Sequence, residues 1–428
     1  MIYRIFVLLF SMSCLLTAEE LSLSQAISKA LKNNYDIHIT KSDEKIAELN
    51  NSWGNAGRLP SLAVNLSALE RWSEENRSDS ELRTLNGTLT LNWILFDGFA
   101  IYIRKSRFEE LERLSEGNTA IVIENTLEAV ILAYYNSLLQ AEKVKVLEEV
   151  MSLSRDRNQY EEERHRLGAQ TRYELLQAQN AYLEDKGRYL QQRTVYRNSM
   201  RDLNFLMGIR KDIKYEFTEA FEIEGHDYDI DALLQKMLFD NRTLKNQYIN
   251  QSLLEKQVAL QKSEWWPGLS LGAGYEKSRN SVAYTGSDPT TYDQNNAYAT
   301  LTLSWSLFNG GNRKRAIEIA QLNRQAGEVS LESMKHSLTN RLYTLIENYR
   351  VRTELLEVAV ESLQAADLNL EISQEKFRNG AINSFNFRDV QMIYLNAAVS
   401  HLNAVYSLIE ADHALLKLTG GIIQAYSR

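Results

Sequence analysis

The sequence repeats itself. Leu91-Asn92-Trp93-Ile94-Leu95-Phe96-Asp97-Gly98 returns 212 positions later as Leu303-Ser304-Trp305-Ser306-Leu307-Phe308-Asn309-Gly310. The same shift carries Gly168-Ala169 onto Gly380-Ala381, Gln179 onto Gln391, Tyr182-Leu183 onto Tyr394-Leu395, and Leu206 and Gly208 onto Leu418 and Gly420. Nearer the N-terminus the shift is 207, taking Lys29 onto Lys236, Leu31 onto Leu238, Asn34 onto Asn241 and Pro60 onto Pro267. An insertion of five residues between Pro267 and Trp305 reconciles the two shifts. Two halves, 19–209 and 230–421, are therefore expected to build the same structural unit twice. An inter-repeat linker, 210–229, joins them, and a short tail, 422–428, follows.

Proline occurs only at positions 60, 267 and 289. Because proline breaks helix interiors, the long proline-free tracts rich in Leu, Ala, Glu, Gln and Arg read as very long helices. The spacings Leu127, Ile131, Tyr134, Leu138 and Leu338, Leu342, Leu345, Tyr349 give these helices apolar stripes for packing. Helices are expected over about 99–166 and 312–378, each on the order of 100 Å long. Gly168 and Gly380 suit tight reversals, and return helices follow over about 172–207 and 384–419. Shorter helices at about 36–58 and 243–265 have the length needed to continue each return helix end to end.

Between these helices the period changes from helical to alternating. Leu62, Val64, Leu66 and Ala68 alternate with small polar residues, as do Leu89, Leu91, Trp93 and Leu95. The second half repeats the pattern with Leu269, Leu271, Ala273 and Tyr275, then Leu301, Leu303, Trp305 and Leu307. Four strands of about ten residues result, paired as hairpins over about 60–96 and 267–308. Length and alternation fit transmembrane β-strands; an ordinary soluble hairpin with one face on a core is the plainer reading. Faces made of Ser, Thr, Gly and Asn suit a wet lumen better than a charged soluble surface. Trp93, Phe96, Trp265, Trp266, Trp305 and Phe308 gather where strands meet helices, as an interfacial girdle does.

The N-terminus has the pattern of an export signal over 1–18: Arg4, an apolar run from Ile5 to Leu16 too short to span a bilayer, and small residues at Thr17-Ala18. Cys14, the single cysteine, falls inside it. Lipidation at Cys14 is the alternative, with Ser11 standing where such signals usually place Leu.

Four strands cannot close around a lumen, and open sheet edges in lipid leave unpaired backbone groups. Chains are thus expected to share a barrel. Two would give eight strands, a bore filled by side chains; three would give twelve strands and a usable pipe.

At this point the chain resembles the TolC family of outer-membrane efflux and secretion channels (outer membrane factors). The carriers are the twofold repeat, the strand ends Leu95-Phe96-Asp97-Gly98 and Leu307-Phe308-Asn309-Gly310, and the hairpin tips. The tips read Arg164-His165-Arg166-Leu167-Gly168-Ala169 and Lys376-Phe377-Arg378-Asn379-Gly380-Ala381. The resemblance implies a mainly α fold with a β-hairpin membrane end, forming a homotrimer with an α-barrel tunnel in the periplasm and a twelve-stranded barrel in outer-membrane lipid. It implies a passive exit duct for small toxic compounds, fed by a periplasmic adaptor (membrane fusion protein) and an inner-membrane transporter of RND, ABC or MFS type. Service in a type I protein secretion system is the alternative within that class. A periplasmic coiled-coil scaffold without transport activity is the alternative outside it.

The resemblance also implies site residues. Acidic rings at the closed periplasmic aperture fall on Asn386 and Asp389, the first departing from the family's Asp, and a latch carboxylate falls on Glu174. Ile382 stands where the family has the partner arginine, with Arg388 as the nearest substitute. Arg164, Gly168, Lys376 and Gly380 are the expected adaptor-docking tips, although glycines and basic residues there also simply cap helix C-termini. No cofactor, metal site or enzymatic activity is expected. The six histidines are scattered, no phosphate-binding glycine loop or nucleophile elbow occurs, and a net charge of −8 without a basic patch excludes nucleic acid.

Overall fold

A computed structural model describes residues 19–74 and 79–426; the expected export signal with Cys14 and the last two residues of the tail lie outside them. The first half runs β1 (Glu19–Leu21), α1 (Leu23–Asn33), α2 (Tyr35–Asn50), α3 (Trp53–Ala56), β2 (Ser61–Ser73), β3 (Ser80–Asp97), α4 (Ala100–Arg166) and α5 (Arg172–Leu206). After β4 (Tyr215–Phe217) the second half runs α6 (Ile230–Asp240), α7 (Arg242–Ser263), β5 (Gly268–Tyr284), β6 (Thr290–Ser304), α8 (Asn312–Arg378), α9 (Ser384–Leu418) and α10 (Ile422–Tyr426). Helices α4 and α8 have 67 residues each, α5 and α9 have 35 each, and α1 and α6 have 11 each.

Contacts divide the chain into two compact units, and each takes segments from both sequence halves. The first comprises residues 19–38, Val122–Asn241 and 338–426. Its interior is a series of apolar clusters strung along the helices. One gathers Ile27, Leu127, Ile131, Tyr134, Leu203 and Tyr215; another Met237, Leu342, Ile346, Tyr349, Leu408 and Leu415; a third Val150, Leu370, Phe377, Phe387 and Leu395. The predicted stripes thus face inward, with Ile346 joining Leu342 and Tyr349 at the buried centre of the second. At ~25 cal/mol per Å² of apolar area removed from water, these seams supply the main drive to pair the helices.

Segment 210–229 is woven into this unit. β4 pairs in parallel with β1, Glu19 opposite Tyr215 and Leu21 opposite Phe217. Tyr134 donates its hydroxyl to Glu219 and Tyr228 donates to Asp412, so the segment is tied to α4 and to α9. The Tyr349 hydroxyl accepts from the His226 amide at 2.7 Å. Burial and the adjoining carboxylates hold the Tyr134 and Tyr228 hydroxyls protonated far above the usual tyrosine range.

Two asparagines explain why those positions match at a shift of 207. Asn34 donates its side-chain amide to the Leu206 carbonyl at 2.9 Å, and its side-chain oxygen accepts from the Asp36 and Ile37 amides. It therefore caps α2 while satisfying a C-terminal carbonyl of α5. Asn241 makes the corresponding bond to the Leu418 carbonyl, also at 2.9 Å.

The second unit, Ile39–Ile121 with Arg242–Ser337, carries the main sheet, in the antiparallel order β2-β3-β5-β6. Register places Leu62, Val64, Leu66 and Ala68 opposite Leu91, Leu89, Gly87 and Leu85. Trp93, Leu91 and Leu89 then face Leu271, Ala273 and Tyr275, which face Leu301, Ala299 and Ala297. The apolar residues of four strands therefore share one sheet face. Thr90, Thr88, Gly272, Gly274 and Thr300 share the other.

Three local departures from the sequence reading have physical causes. The register shifts between Ile94 and Phe96, so that a bulge skips Leu95 and sets Phe96 opposite Leu269; the apolar face continues through Phe96 rather than Leu95. Strand β6 stops at Ser304 rather than running to 308, because its partner β5 begins at Gly268, the residue opposite. The predicted helix 36–58 is two helices, since Ser52 turns the chain out and caps α3 by accepting from the Asn55 amide at 3.2 Å.

Candidate functional site

The tips of the helical hairpins are built by one backbone device. At Gly168, with φ of +74°, the Ala169 amide donates to the Arg164 carbonyl and the Gly168 amide to the His165 carbonyl, at 2.8 and 3.0 Å. At Gly380, with φ of +71°, Ala381 donates to Lys376 and Gly380 to Phe377 at the same two distances. This is the Schellman closure, which needs a left-handed residue and so selects glycine. The carbonyls of Arg164 and Lys376 accept the closing bond, a role independent of their side chains. Their side chains differ: the Arg164 guanidinium sits 5.6 Å from the Tyr160 ring centre, and Lys376 is exposed.

Beyond each tip a return helix starts on a polar cap. Thr171 caps α5: its hydroxyl oxygen accepts from the Glu174 amide at 3.3 Å, while Glu174 accepts from the Thr171 amide at 3.1 Å and its hydroxyl at 2.7 Å. Glu174 is thereby the reciprocal member of a capping box. Its carboxyl is held below the usual carboxylate range, first by the Thr171 hydroxyl and then by the Thr171 amide. Asn383 caps α9, accepting from the Asn386 amide at 2.8 Å. Glu174 and Asn386 therefore occupy the same third helical position, and the Asn found at 386 is the weaker partner for such a box. Asp389 lies one turn on, exposed.

Because the folded-state pKa of Glu174 is depressed, its contribution is present above the unfolded carboxylate pKa (about 4.3) and is lost as pH falls through the lowered value. Amide exchange at the start of α5 is accordingly expected to accelerate as pH falls through that lowered value, after correction for intrinsic rates. Thr171→Ala is expected to loosen the same turn by ~1 kcal/mol at neutral pH. Protection that is flat with pH would remove the box from the local stability of this helix.

Arg388 serves a different carboxylate. Its guanidinium grips Asp185 of α5 in a bidentate pair, at 2.6 and 2.8 Å, and reaches the Ser154 hydroxyl of α4 at 3.2 Å. Ser154 in turn donates to Asp185, whose side chain is 1% exposed. Beside them Arg157 donates to the Ser384 carbonyl at 3.2 Å; burial, and then the nearby Arg388 charge, push its pKa down to about 10. The network joins α4, α5 and α9. A cleft of about 780 Å³ opens next to it, lined by Arg157, Tyr173, Glu174, Glu184, Phe385 and Arg388. Glu174 and Arg388 therefore border the same cleft, while the arginine is committed to Asp185. Sequence spacing gave no sign of Ser154, Arg157 or Asp185.

In the second unit several aromatics make local contacts near the strand ends. The Trp93 indole donates to the Arg58 carbonyl at 2.8 Å and the Trp305 indole to the Trp265 carbonyl at 3.1 Å. Arg58 lies over Trp53 and Arg313 over Trp265, each 4.7 Å from the ring centre. Phe96 meets Phe99 edge-on at 5.2 Å, and Phe99 meets Trp266 at 6.4 Å. Trp265, Trp266, Trp305 and Phe308 are all more than half exposed.

An apolar sheet face bordered by aromatics and pairs of very long helices are features that a membrane channel would use. The chain belongs to the outer membrane efflux protein family, whose description, "Outer membrane efflux protein", matches residues 26–209 and again 233–421. It is an efflux channel of the outer membrane and not an enzyme; channels of this family work with adaptor proteins and inner-membrane pumps.

Solved structures share the fold. The Campylobacter jejuni CmeC outer membrane channel superposes with a TM-score of 0.71 at 17% identity, over 93% of this chain and 85% of that one. The open state of the Neisseria gonorrhoeae MtrE outer membrane channel gives 0.70 at 16%, over 94% and 89%. The outer membrane protein VceC of Vibrio cholerae gives 0.70 at 13%, over 93% and 96%. No individually curated protein matches the sequence.

Proposed function

We propose that three copies of this chain form the passive exit duct of a tripartite efflux pump exporting small toxic compounds. The observation that carries the reading is the four-stranded sheet with two open edges, Ser61–Ser73 and Thr290–Ser304. In lipid each unpaired backbone group costs several kcal/mol, and pairing β2 of one chain with β6 of the next removes both edges. Three chains make twelve strands, wide enough for a bore. The matching lengths of α4 with α8 and α5 with α9 support a tunnel built from two equivalent hairpins per chain.

In this reading the tips at Arg164, Gly168, Lys376 and Gly380 meet the adaptor, and the transporter is of RND, ABC or MFS type. Asp389, with Asn386 and Glu174, borders the periplasmic aperture, where threefold symmetry turns one carboxylate into a ring of three. Trp93, Phe96, Trp265, Trp266, Trp305 and Phe308 mark the inner membrane-water boundary of the barrel.

The purified protein is expected to run as a trimer and to form cation-selective pores in planar bilayers, with Asp389→Ala lowering the cation-to-anion permeability ratio. Cysteine pairs placed on β2 and β6 should cross-link into a three-chain ladder. Monomers, or electrically silent protein, would overturn the channel assembly. A deletion strain hypersensitive to several unrelated toxicants with a normal secretome would support drug efflux; one missing secreted protein with normal tolerance would assign the duct to type I secretion.

A further inference from the structure

We infer that the apolar face of the sheet carries a binding site for the phosphate of an outer-leaflet lipid, held by Lys277 and Arg279. The inference rests on the barrel reading above, in which the helices are periplasmic and the β2–β3 and β5–β6 turns face outward.

The apolar face does not end at one level across the sheet. On β3 it runs from Trp93 to Leu85, nine residues and about 27 Å along the strand. On β5 it stops at Tyr275, and the next two residues on that face are Lys277 and Arg279, opposite Gly87 and Leu85. The two cations therefore stand beside hydrocarbon rather than beyond it. A shallow, open depression of about 620 Å³ lies there, lined by Leu66, Ala68, Leu85, Gly87, Lys277 and Arg279. An apolar floor beside two cations matches an amphiphile with an acyl chain and an anionic head.

Charge pairing singles out Lys277. Further toward the turns, Arg83 lies between Glu70 and Glu81 at 2.6 and 2.7 Å, so the protein itself neutralises it. Arg279 is held by Asp293 at 2.7 and 3.0 Å and keeps donors in reserve. Lys277 makes no hydrogen bond or salt bridge among the described residues; its cross-strand neighbour on β6 is Asn295, and the Asp293 carboxylate that feels its charge is already bound to Arg279. An ammonium without a directly bonded anion on a lipid-facing strand is unfavourable. A lipid phosphate supplies a directly bonded anion at the level where head groups begin, and the Asn295 amide adds a neutral donor. The outer leaflet of such a membrane offers this chemistry as phosphorylated glycolipid, and that is the occupant assigned here.

Native mass spectrometry of the full-length oligomer, titrated with bisphosphorylated lipid A and with its dephosphorylated form, tests the site. The phosphorylated lipid is expected to bind about fivefold to tenfold tighter. Lys277→Gln should bring the two lipids within twofold, and Lys277→Gln/Arg279→Gln should equalise them, with trimer and conductance unchanged. Equal binding of both lipids to the wild type, or preference retained in the double variant, overturns the site while leaving the channel reading intact. Displacement of the lipid by millimolar inorganic phosphate makes it a simple anion site and also overturns it. Loss of the trimer in the wild type refutes the channel assembly, and the site with it.

Discussion

Arg388→Ala is expected to unlatch the helical hairpins and widen the channel. The Asp185 side chain is 1% exposed, and its charge is compensated by the two bonds from Arg388, with Ser154 as the remaining donor. Removing the arginine takes from a buried carboxylate its hydrogen-bonded counter-charge and leaves the more distant Arg157 as the nearby cation, a defect bounded by the about 3–5 kcal/mol of comparable buried pairs. Because the pair joins α5 to α9 and Ser154 adds α4, the loss falls on the packing that holds three helices in one position. Thermal unfolding of the detergent-solubilised oligomer should move down sharply, and single-channel conductance should rise. Asp185→Leu/Arg388→Leu, which removes both charges, should recover most of the stability, since a buried pair contributes little net of its desolvation. Recovery of stability without recovery of the low conductance would identify the pair as a closing device. An unchanged melting curve and conductance in Arg388→Ala would remove the network from both roles.

The second large effect separates two glycines with nearly the same backbone angle. Gly420, φ +68°, follows α9, and a Cβ built there would lie 2.6 Å from the Asp240 carbonyl oxygen. Gly380, φ +71°, has nothing within 4 Å of the same point. Alanine at 380 therefore meets only the left-handed penalty, about 1–2 kcal/mol. Alanine at 420 meets that and the collision with the α6–α7 joint, about 2–5 kcal/mol together. Unfolding midpoints of the two variants, measured side by side, should differ in that order. Equal losses would show that the joint yields freely to α9.

How much of this was legible depends on whether the signal is local. Glycine at 168 and 380 and the proline-free tracts gave the hairpins to within a residue or two, because capping and helix breaking act over a single turn. The strands were visible as alternation, but only over about ten residues each; they have 13, 18, 17 and 15, because cross-strand pairing carries β2 and β3 on through Glu70, Arg71, Glu81 and Arg83. Alternation alone could not place the bulge: Leu95 and Phe96 are both apolar, and only the register against Leu269 shows which one is skipped. The break at Ser52 was written in Asn50-Asn51-Ser52 but outweighed by the helical pattern on either side. The site was less accessible still. Asp185 and Arg388 are 203 positions apart, and each alone looks like a solvated helix charge. Only packing of α5 against α9 makes them partners. Likewise Glu174 and Asn386 share a capping position that is recognised once the helix starts are known.

The central pairing of the sheet also dictates an order of events during biogenesis. β3 ends at Asp97, and its second neighbour, β5, begins at Gly268, so the junction closes a loop of about 170 residues. A chain exported from its N-terminus delivers the β2–β3 hairpin first, with an apolar face and a bare strand edge waiting for a partner that has yet to arrive. Such non-local closures are slow, and the exposed edge is a template for wrong pairing in the interval. Protection of that hairpin in transit is thus a requirement set by register, before any lipid or second copy of the chain is encountered.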